Sequence, residues 1–187
     1  EVADQVTQYL RDGVVKNAIN VPNISLDQLG AMRPYLGLCE KLASFLAQAA
    51  DERAATRIRV HYEGVMVNTQ REILTLSVLK GFLSPLLSTP VNFVNARNLL
   101  KERGIRVEES FQGECPDYGS LVEITVSGAT KTTVSGTIFG KGEPRIVRID
   151  DFLIDAVPSG YLLYTKNNDQ PGVIGNMGTV IGKQGVN

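Results

Sequence analysis

The chain has 187 residues, of which 43% are hydrophobic and 21% charged, and its formal net charge is −1. This composition is typical of an ordinary globular protein, and the length accommodates one substantial domain with a piece of another. The small net charge gives no electrostatic argument for a nucleic acid or an anionic membrane as partner, and no apolar run approaches the roughly 20 residues that span a bilayer.

Neither the N-terminus nor the cysteines indicate secretion. The chain begins Glu1-Val2-Ala3-Asp4, without an initiating Met or the apolar segment of a signal peptide, so we expect it to come from inside a longer polypeptide. Cys39 and Cys115 lack metal-ligand spacing, which favours two ordinary thiols over a disulfide. We therefore predict a cytoplasmic protein without a metal site.

Helical periodicity dominates the first half of the chain. Apolar residues recur every three or four positions, and the longest run places Leu38, Leu42, Phe45 and Leu46 on one helical face. Pro34 is expected to begin that helix and to separate it from a shorter one before it. The predicted helices in this half are 2–12, 25–32, 34–50, 70–83 and 92–103.

Strand patterns dominate the second half. One earlier strand, 57–62, alternates strictly, with Arg57, Arg59 and His61 on one face and apolar residues on the other. Further strands are predicted at 105–110, 119–127, 131–139, 144–150, 152–157 and 161–167. We therefore predict an α/β (α+β) fold in which helices pack on a mainly antiparallel or mixed sheet.

The C-terminal stretch combines a strand, a polar turn and a helix. The apolar strand 161–167 leads into Asn167-Asn168-Asp169-Gln170, and Pro171 stands where a helix over 171–184 would begin. Free N–H groups at that helix start can meet a carboxylate, and Asp169 can meet an ammonium group. The arrangement suits a small zwitterion, although a turn that merely caps the helix explains the same residues.

This stretch resembles the opening strand and helix of an ACT domain, a small amino-acid-sensing module with a ferredoxin-like fold. The pattern Asn-x-Asp-x-Pro-Gly-x-Ile-Gly over 167–175, followed by Gly185-Val186-Asn187, is similar to the copy in the D-3-phosphoglycerate dehydrogenase family. Since the chain stops where the second strand of the module should begin, we expect an incomplete ACT domain here.

Two further stretches resemble the long form of the same family. Asn-Ala-Ile-Asn-Val-Pro at 17–22 is similar to the linker that leaves its substrate-binding domain, and 89–96 with 100–105 is similar to its intervening domain. The resemblance covers essentially the whole chain in one collinear order. It implies an upstream helix end at 1–13, a linker at 14–22, an intervening domain at 23–158 and part of an ACT domain at 159–187.

The resemblance implies a function for the parent enzyme. That family oxidises 3-phosphoglycerate to 3-phosphohydroxypyruvate with NAD, the first step of L-serine biosynthesis, and serine inhibits many members through the ACT domain. The family's dinucleotide loop and catalytic residues have no counterpart in this sequence. We therefore predict an inactive regulatory and oligomerising fragment, without catalytic or NAD-binding residues, that contacts upstream nucleotide- and substrate-binding domains and forms a dimer or tetramer.

The resemblance also implies a set of effector contacts. In the intact module, L-serine would bind at the polar turn and the helix start, often across an interface between two ACT domains. The residues carried over by the motif are Asn167, Asp169, Gly172, Val173, Ile174 and Asn187.

Two cationic clusters are candidates for binding an anion, although a basic face of this kind is usually solvated surface. The first consists of Arg57, Arg59 and His61, and the second of Lys141, Arg145 and Arg148.

Two alternative functions, a structural role and a different enzyme, remain open. The domain could join subunits without sensing any effector. The chain could also be the related small domain of an iron–sulfur L-serine dehydratase, although Cys39 and Cys115 cannot supply the clustered thiolates that such an enzyme needs.

Overall fold

Five helices and six strands occupy the described part of the chain. In this computed structural model the described residues are 2–12, 26–50, 55–64, 71–140, 142–168 and 170–185. The elements are, in chain order, α1 (Val2–Asp12), α2 (Leu26–Ala49), β1 (Arg57–Gly64), α3 (Arg71–Leu83), α4 (Ala96–Glu102), β2 (Arg106–Gln112), β3 (Ser120–Ser127), β4 (Lys131–Phe139), β5 (Glu143–Ile149), β6 (Phe152–Ala156) and α5 (Val173–Lys183).

The strands form one mixed sheet with the order β2-β1-β3-β4-β5-β6. β1 and β2 are parallel, and every other neighbouring pair is antiparallel. Parallel strands cannot be joined by a tight turn, so a crossover must connect them. α3 and α4 form that crossover between β1 and β2. The predicted α/β (α+β) class with a mainly antiparallel sheet is confirmed.

α2 and α3 lie on one face of the sheet. α2 packs on α3 and lies against β3, β4 and β5. Leu38, Leu42 and Leu46 are fully buried, as the predicted apolar face of this helix requires. α3 contacts β1, where the Tyr62 and Thr75 hydroxyls form a buried hydrogen bond of 2.9 Å. Apolar burial of this kind supplies most of the driving force for folding.

The alternation predicted in β1 is confirmed. Ile58, Val60 and Tyr62 face the helices and are fully buried. The residues between them point to the opposite side of the sheet, which we call the open face. Arg57, Arg59 and His61 therefore share that face with their cross-strand neighbours on β2 and β3.

The prediction of two helices around Pro34 was wrong, because Leu26–Ala49 is one continuous helix with Pro34 inside it. A proline in a helix removes the hydrogen bond to the carbonyl four residues earlier. That carbonyl belongs to Gly30, which is exposed, so water can satisfy it. Pro34 itself lies beside Gly142, and packing of the helix on the sheet outweighs the lost bond.

The helix predicted over 92–103 is shorter, because α4 begins only at Ala96. The two asparagines before it form a side-chain-bonded turn instead. Asn92 Oδ1 accepts the N–H groups of Val94 and Asn95 at 2.9 and 3.0 Å, and Asn95 Oδ1 accepts the N–H of Asn92 at 2.8 Å. Asparagine side chains compete with the helical backbone for its N–H groups in this way.

The strand predicted at 161–167 is also wrong, because residues 161–168 have no strand structure. A segment becomes a β-strand only when its backbone bonds to a neighbouring strand. The sheet ends at β6 within the described residues, and nothing pairs with this segment. The apolar pattern of Tyr161, Leu162 and Leu163 is therefore left exposed.

The C-terminal helix forms where it was predicted, over Val173–Lys183, but none of its residues is buried. Glycines recur every three or four residues along this helix, a sequence pattern that often allows close helix packing. No atom lies within 4 Å of the Cβ position at Gly175, Gly178 or Gly182, so no such packing occurs within the described residues. None of the helices in the described ranges is long and apolar enough to cross a membrane.

The two thiols differ in accessibility, which gives a first prediction. Cys39 is fully buried on α2, and burial raises the pKa of its thiol. Cys115 is only half-buried, although desolvation also raises its pKa above the ordinary value. We expect iodoacetamide to label Cys115 at least about ten-fold faster than Cys39 in the native protein, and both equally in denaturant. Mass spectrometry of the peptides measures this, and equal native rates would contradict the burial of Cys39.

Candidate functional site

The predicted effector turn lies between residue 166 and the start of α5. Asn167 is exposed, and its side-chain N–H donates to the carbonyl of Asn168 at 3.3 Å. Gly172 has a φ of 89° and immediately precedes α5, a conformation that only glycine adopts without strain. Asp169 and Asn187, the other polar members of the predicted site, lie outside the described residues.

The helix start carries backbone donors, of which the N–H of Val173 is bonded to the carbonyl of Gln170 at 3.4 Å. No side chain caps α5, and Asn176 N–H makes the first regular helical bond, to the carbonyl of Gly172 at 2.9 Å. Gly172 and Ile174 are exposed and Val173 is half-buried. The N–H groups of the first helical turn have no helical acceptors and attract negative charge. The described part of the site is therefore an uncapped helix start beside a polar turn.

The first cationic cluster is paired with carboxylates on the open face. Arg57 Nε and Arg59 Nη2 lie 3.2 and 3.3 Å from the two carboxylate oxygens of Glu108 on β2. His61 Nδ1 lies 2.9 Å from the Ser110 hydroxyl, and its Nε2 lies 3.4 Å from Glu63. These carboxylates reduce the positive potential that an anion would meet.

The two described members of the second cluster, Arg145 and Arg148, also pair with carboxylates. Arg145 lies 3.0 Å from Glu143 and 3.3 Å from Asp155, so both sides of its guanidinium group are occupied. Arg148 lies 3.9 Å from Glu123, the longest of these pairs. Lys141 lies outside the described residues.

Arg148 belongs to a polar groove of about 420 Å³ on the open face. The groove contains both signs of charge, and the hydroxyl of one lining residue, Thr133, forms a hydrogen bond of 3.1 Å with that of Thr125. Its lining residues are Glu123, Lys131, Thr133, Arg148, Asp150 and Asp151. Among the described residues, no group of three or more His, Cys, Asp or Glu side chains could hold a metal ion.

Sequence reasoning missed the residues that join this groove to the effector turn. Asp150, in the turn between β5 and β6, pairs with Lys166, which immediately precedes Asn167. The sequence offered a partial signal, because Asp150-Asp151 between two short strands is typical of a tight turn. The partner of Asp150 could not be read from sequence, since sixteen residues separate the two.

A comparison with known proteins identifies the family. Residues 31–150, from within α2 to the end of β5, match the family described as the D-3-phosphoglycerate dehydrogenase intervening domain. The chain belongs to the D-3-phosphoglycerate dehydrogenase family. The resemblance inferred from the sequence motifs is thereby confirmed.

Relatives in the D-3-phosphoglycerate dehydrogenase family align along the whole chain. The protein of that name from Synechocystis sp. is 34% identical over 189 residues, and the one from Bacillus subtilis is 32% identical over 188. A third, from Methanocaldococcus jannaschii, is 34% identical over 187. All of this chain is covered in each case, but only 34–36% of the relative. The chain thus spans about a third of the length of these dehydrogenases.

Proposed function

We propose that this chain is a regulatory and subunit-joining part of an NAD-dependent D-3-phosphoglycerate dehydrogenase. The parent enzyme would oxidise 3-phosphoglycerate to 3-phosphohydroxypyruvate, in the cytoplasm, as the first step of L-serine biosynthesis. One observation carries the proposal: dehydrogenases of this name align along the entire chain at 32–34% identity. NAD and the catalytic residues would belong to upstream domains, with which this part makes contact.

We propose L-serine as the effector of this part. Its carboxylate would lie at the uncapped start of α5, and its ammonium group would pair with Asp169. Asn167 and Asn187 have amide side chains that both donate and accept hydrogen bonds, which suits the serine hydroxyl. Gly172 lets the backbone approach the ligand closely, since no side-chain atoms stand in the way.

Exposed apolar side chains support the subunit-joining role. Phe152 and Leu153 on β6 are 65% and 77% exposed, and Ile174 on α5 is 80% exposed. Exposed apolar surface of this kind is a candidate for burial in a protein–protein interface. We propose that a homo-oligomer, a dimer or a tetramer, covers part of it. A purely structural role without an effector is the competing function.

Anion binding is a second candidate, and one observation favours the polar groove for it. Arg148 is held by Glu123 only at 3.9 Å, and the Lys131 side chain that shares the groove is exposed. Arg57, Arg59 and Arg145 have closer carboxylate partners. Among these four arginines, Arg148 therefore has the weakest pairing with a carboxylate and is the one most available to a phosphorylated metabolite.

Thermal unfolding with and without L-serine tests the proposed effector role. The measurement uses this chain and a longer version that continues through a complete ACT domain. A ligand that binds only the folded state at one hundred times its Kd stabilises it by about 2.7 kcal/mol. We expect L-serine at that excess to raise the Tm of the longer version by several degrees and to leave this chain unchanged.

Two variants of the longer version make the test specific. Asp169→Ala should abolish the shift because it removes the partner of the ammonium group, whereas Asn168→Ala should retain it. D-serine at the same concentration serves as the ligand control. If L-serine shifts neither version, the serine assignment is wrong and the structural role replaces it.

A further inference from the structure

Residues 157–168, which we call the connector, join β6 to the effector turn and contact the rest of the protein at a few points. Pro158 is buried near the start of the connector, and Tyr164 is half-buried near its end. Between them, Tyr161, Leu162 and Leu163 are exposed, and the connector arches over a cavity of about 700 Å³ against α2. The connector is therefore held near its two ends.

Asp150 supplies the contact on the sheet side. It is the one described non-glycine residue with a positive φ, 49°. Its backbone N–H donates to the carbonyl of Thr133, and its Oδ1 accepts the N–H of Thr133, both at 2.8 Å. These two bonds fix the aspartate against β4. An Asp in this region of φ is uncommon, and such strain persists only where the surroundings hold it.

The second carboxylate oxygen of Asp150 is left to accept the ammonium group of Lys166, at 2.5 Å. The Asp150 side chain is 18% exposed and that of Lys166 is 57% exposed, so only the carboxylate end of the pair is shielded from solvent. Partial burial would raise the pKa of Asp150, but the hydrogen bonds from Lys166 and Thr133 outweigh it and lower that pKa below its ordinary value. The same bond raises the pKa of Lys166. Both shifts favour the ion pair at neutral pH.

Tyr164 supplies the contact on the helix side. Its ring packs edge-on against Phe45 of α2, with centroids 5.6 Å apart and planes at 72°. Its hydroxyl is buried and has no hydrogen-bond partner among the described residues. A hydroxyl is buried without a partner only at a cost, so ring packing must hold the tyrosine in place.

We propose that Asp150, Lys166 and Tyr164 form an anchor that positions the effector turn relative to the sheet. Lys166 is adjacent to Asn167, so fixing its ammonium group fixes the start of the turn. Asp150 also lines the polar groove, so the ion pair joins the two candidate ligand sites of this chain. α5, on the other side of the turn, has no buried residue. The regulatory meaning of the anchor rests on the proposed function.

Backbone relaxation of the ¹⁵N-labelled chain, without any ligand, tests the anchor. We expect order parameters near about 0.85 for residues 164–168 in the wild type, as in the sheet, and below about 0.6 in Asp150→Asn and Lys166→Met. Asp150→Asn is the sharper variant, because the amide oxygen still accepts the Thr133 N–H and asparagine tolerates positive φ, while an NH2 donor replaces the oxygen that accepts Lys166.

Three control variants and one further test separate the loss of the anchor from a general effect of substitution on the fold. Lys101→Met removes an exposed lysine from the last turn of α4 and should leave the connector ordered. Lys166→Arg keeps the charge and should restore order. Tyr164→Phe keeps the ring and should match the wild type, since the hydroxyl makes no bond, whereas Tyr164→Ala should release the connector.

The proposal is overturned if residues 164–168 are already mobile in the wild type, or if Asp150→Asn and Lys166→Met leave them ordered. In the longer version with a complete ACT domain, Lys166→Met should reduce the L-serine shift in Tm at least two-fold and Lys166→Arg should not. An ordered connector without any response to L-serine would contradict the effector role and support the anchor. A response to L-serine with a mobile connector would support the effector role and contradict the anchor.

Discussion

Gly81→Ala is expected to lower the free energy of unfolding by about 3 kcal/mol, and Gly81→Val by more. Gly81 lies on α3 where that helix crosses α2. A Cβ atom there would stand 2.2 Å from the carbonyl oxygen of Glu40 and 2.7 Å from its Cα. Both are backbone atoms, so the clash can be relieved only by separating the two helices. Urea unfolding measured by circular dichroism gives the free energy.

Gly37→Ala is the matched control for this prediction. Gly37 lies on α2 with no atom within 4 Å of its Cβ position, so alanine should fit and stabilise the helix by up to about 1 kcal/mol. The two variants make the same chemical change in neighbouring helices and should therefore shift stability in opposite directions. A Gly81→Ala protein as stable as Gly37→Ala would show that α2 and α3 do not approach this closely.

Leu42→Ala is expected to cost about 2–5 kcal/mol, because it opens a cavity between α2 and the sheet. Leu42 is fully buried, and a Cβ at Gly136 of β4 would stand only 2.8 Å from its Cδ1. The leucine thus fills the space that the missing side chain of Gly136 leaves. Equilibrium unfolding in urea measures the loss, with the midpoint and the slope reported separately.

Leu42→Met tests whether volume explains the loss. Methionine keeps most of the volume, so this variant should cost less than about 1.5 kcal/mol. Ala49, at the exposed end of the same helix, offers a surface comparison: Ala49→Ser should change stability by less than about 0.5 kcal/mol. Equal losses for Leu42→Ala and Leu42→Met would exclude a cavity as the cause.

Local patterns predicted the elements whose faces differ in polarity. β1 alternates between basic and apolar side chains, and the structure buries only the apolar ones. α2 was predicted from its leucine spacing, and those leucines form the core. The order of the strands, with a parallel pair at one edge, was not predicted. The sequence of one strand alone does not show which distant strand it pairs with, or in which register.

Predictions failed where a contact distant in sequence decided the structure. Pro34 normally ends a helix, but packing of α2 on the sheet keeps the helix continuous through it. Residues 161–167 have the apolar pattern of a strand, yet no strand pairs with them in the described residues. The periodicity of a segment shows which of its faces is apolar. A β-strand also requires a neighbouring strand that bonds to its backbone.

The sequence by itself determined the family and the fold class, and it predicts the residues of the candidate effector turn. It could do so because each motif or periodic pattern lies within a short segment of the chain. Only the tertiary structure revealed that carboxylates compensate most described cations of the open face, and that Asp150 holds Lys166 beside the turn. Such pairs join residues far apart in the chain, and the folded backbone brings their charges within a few ångströms, where electrostatic interactions are strong.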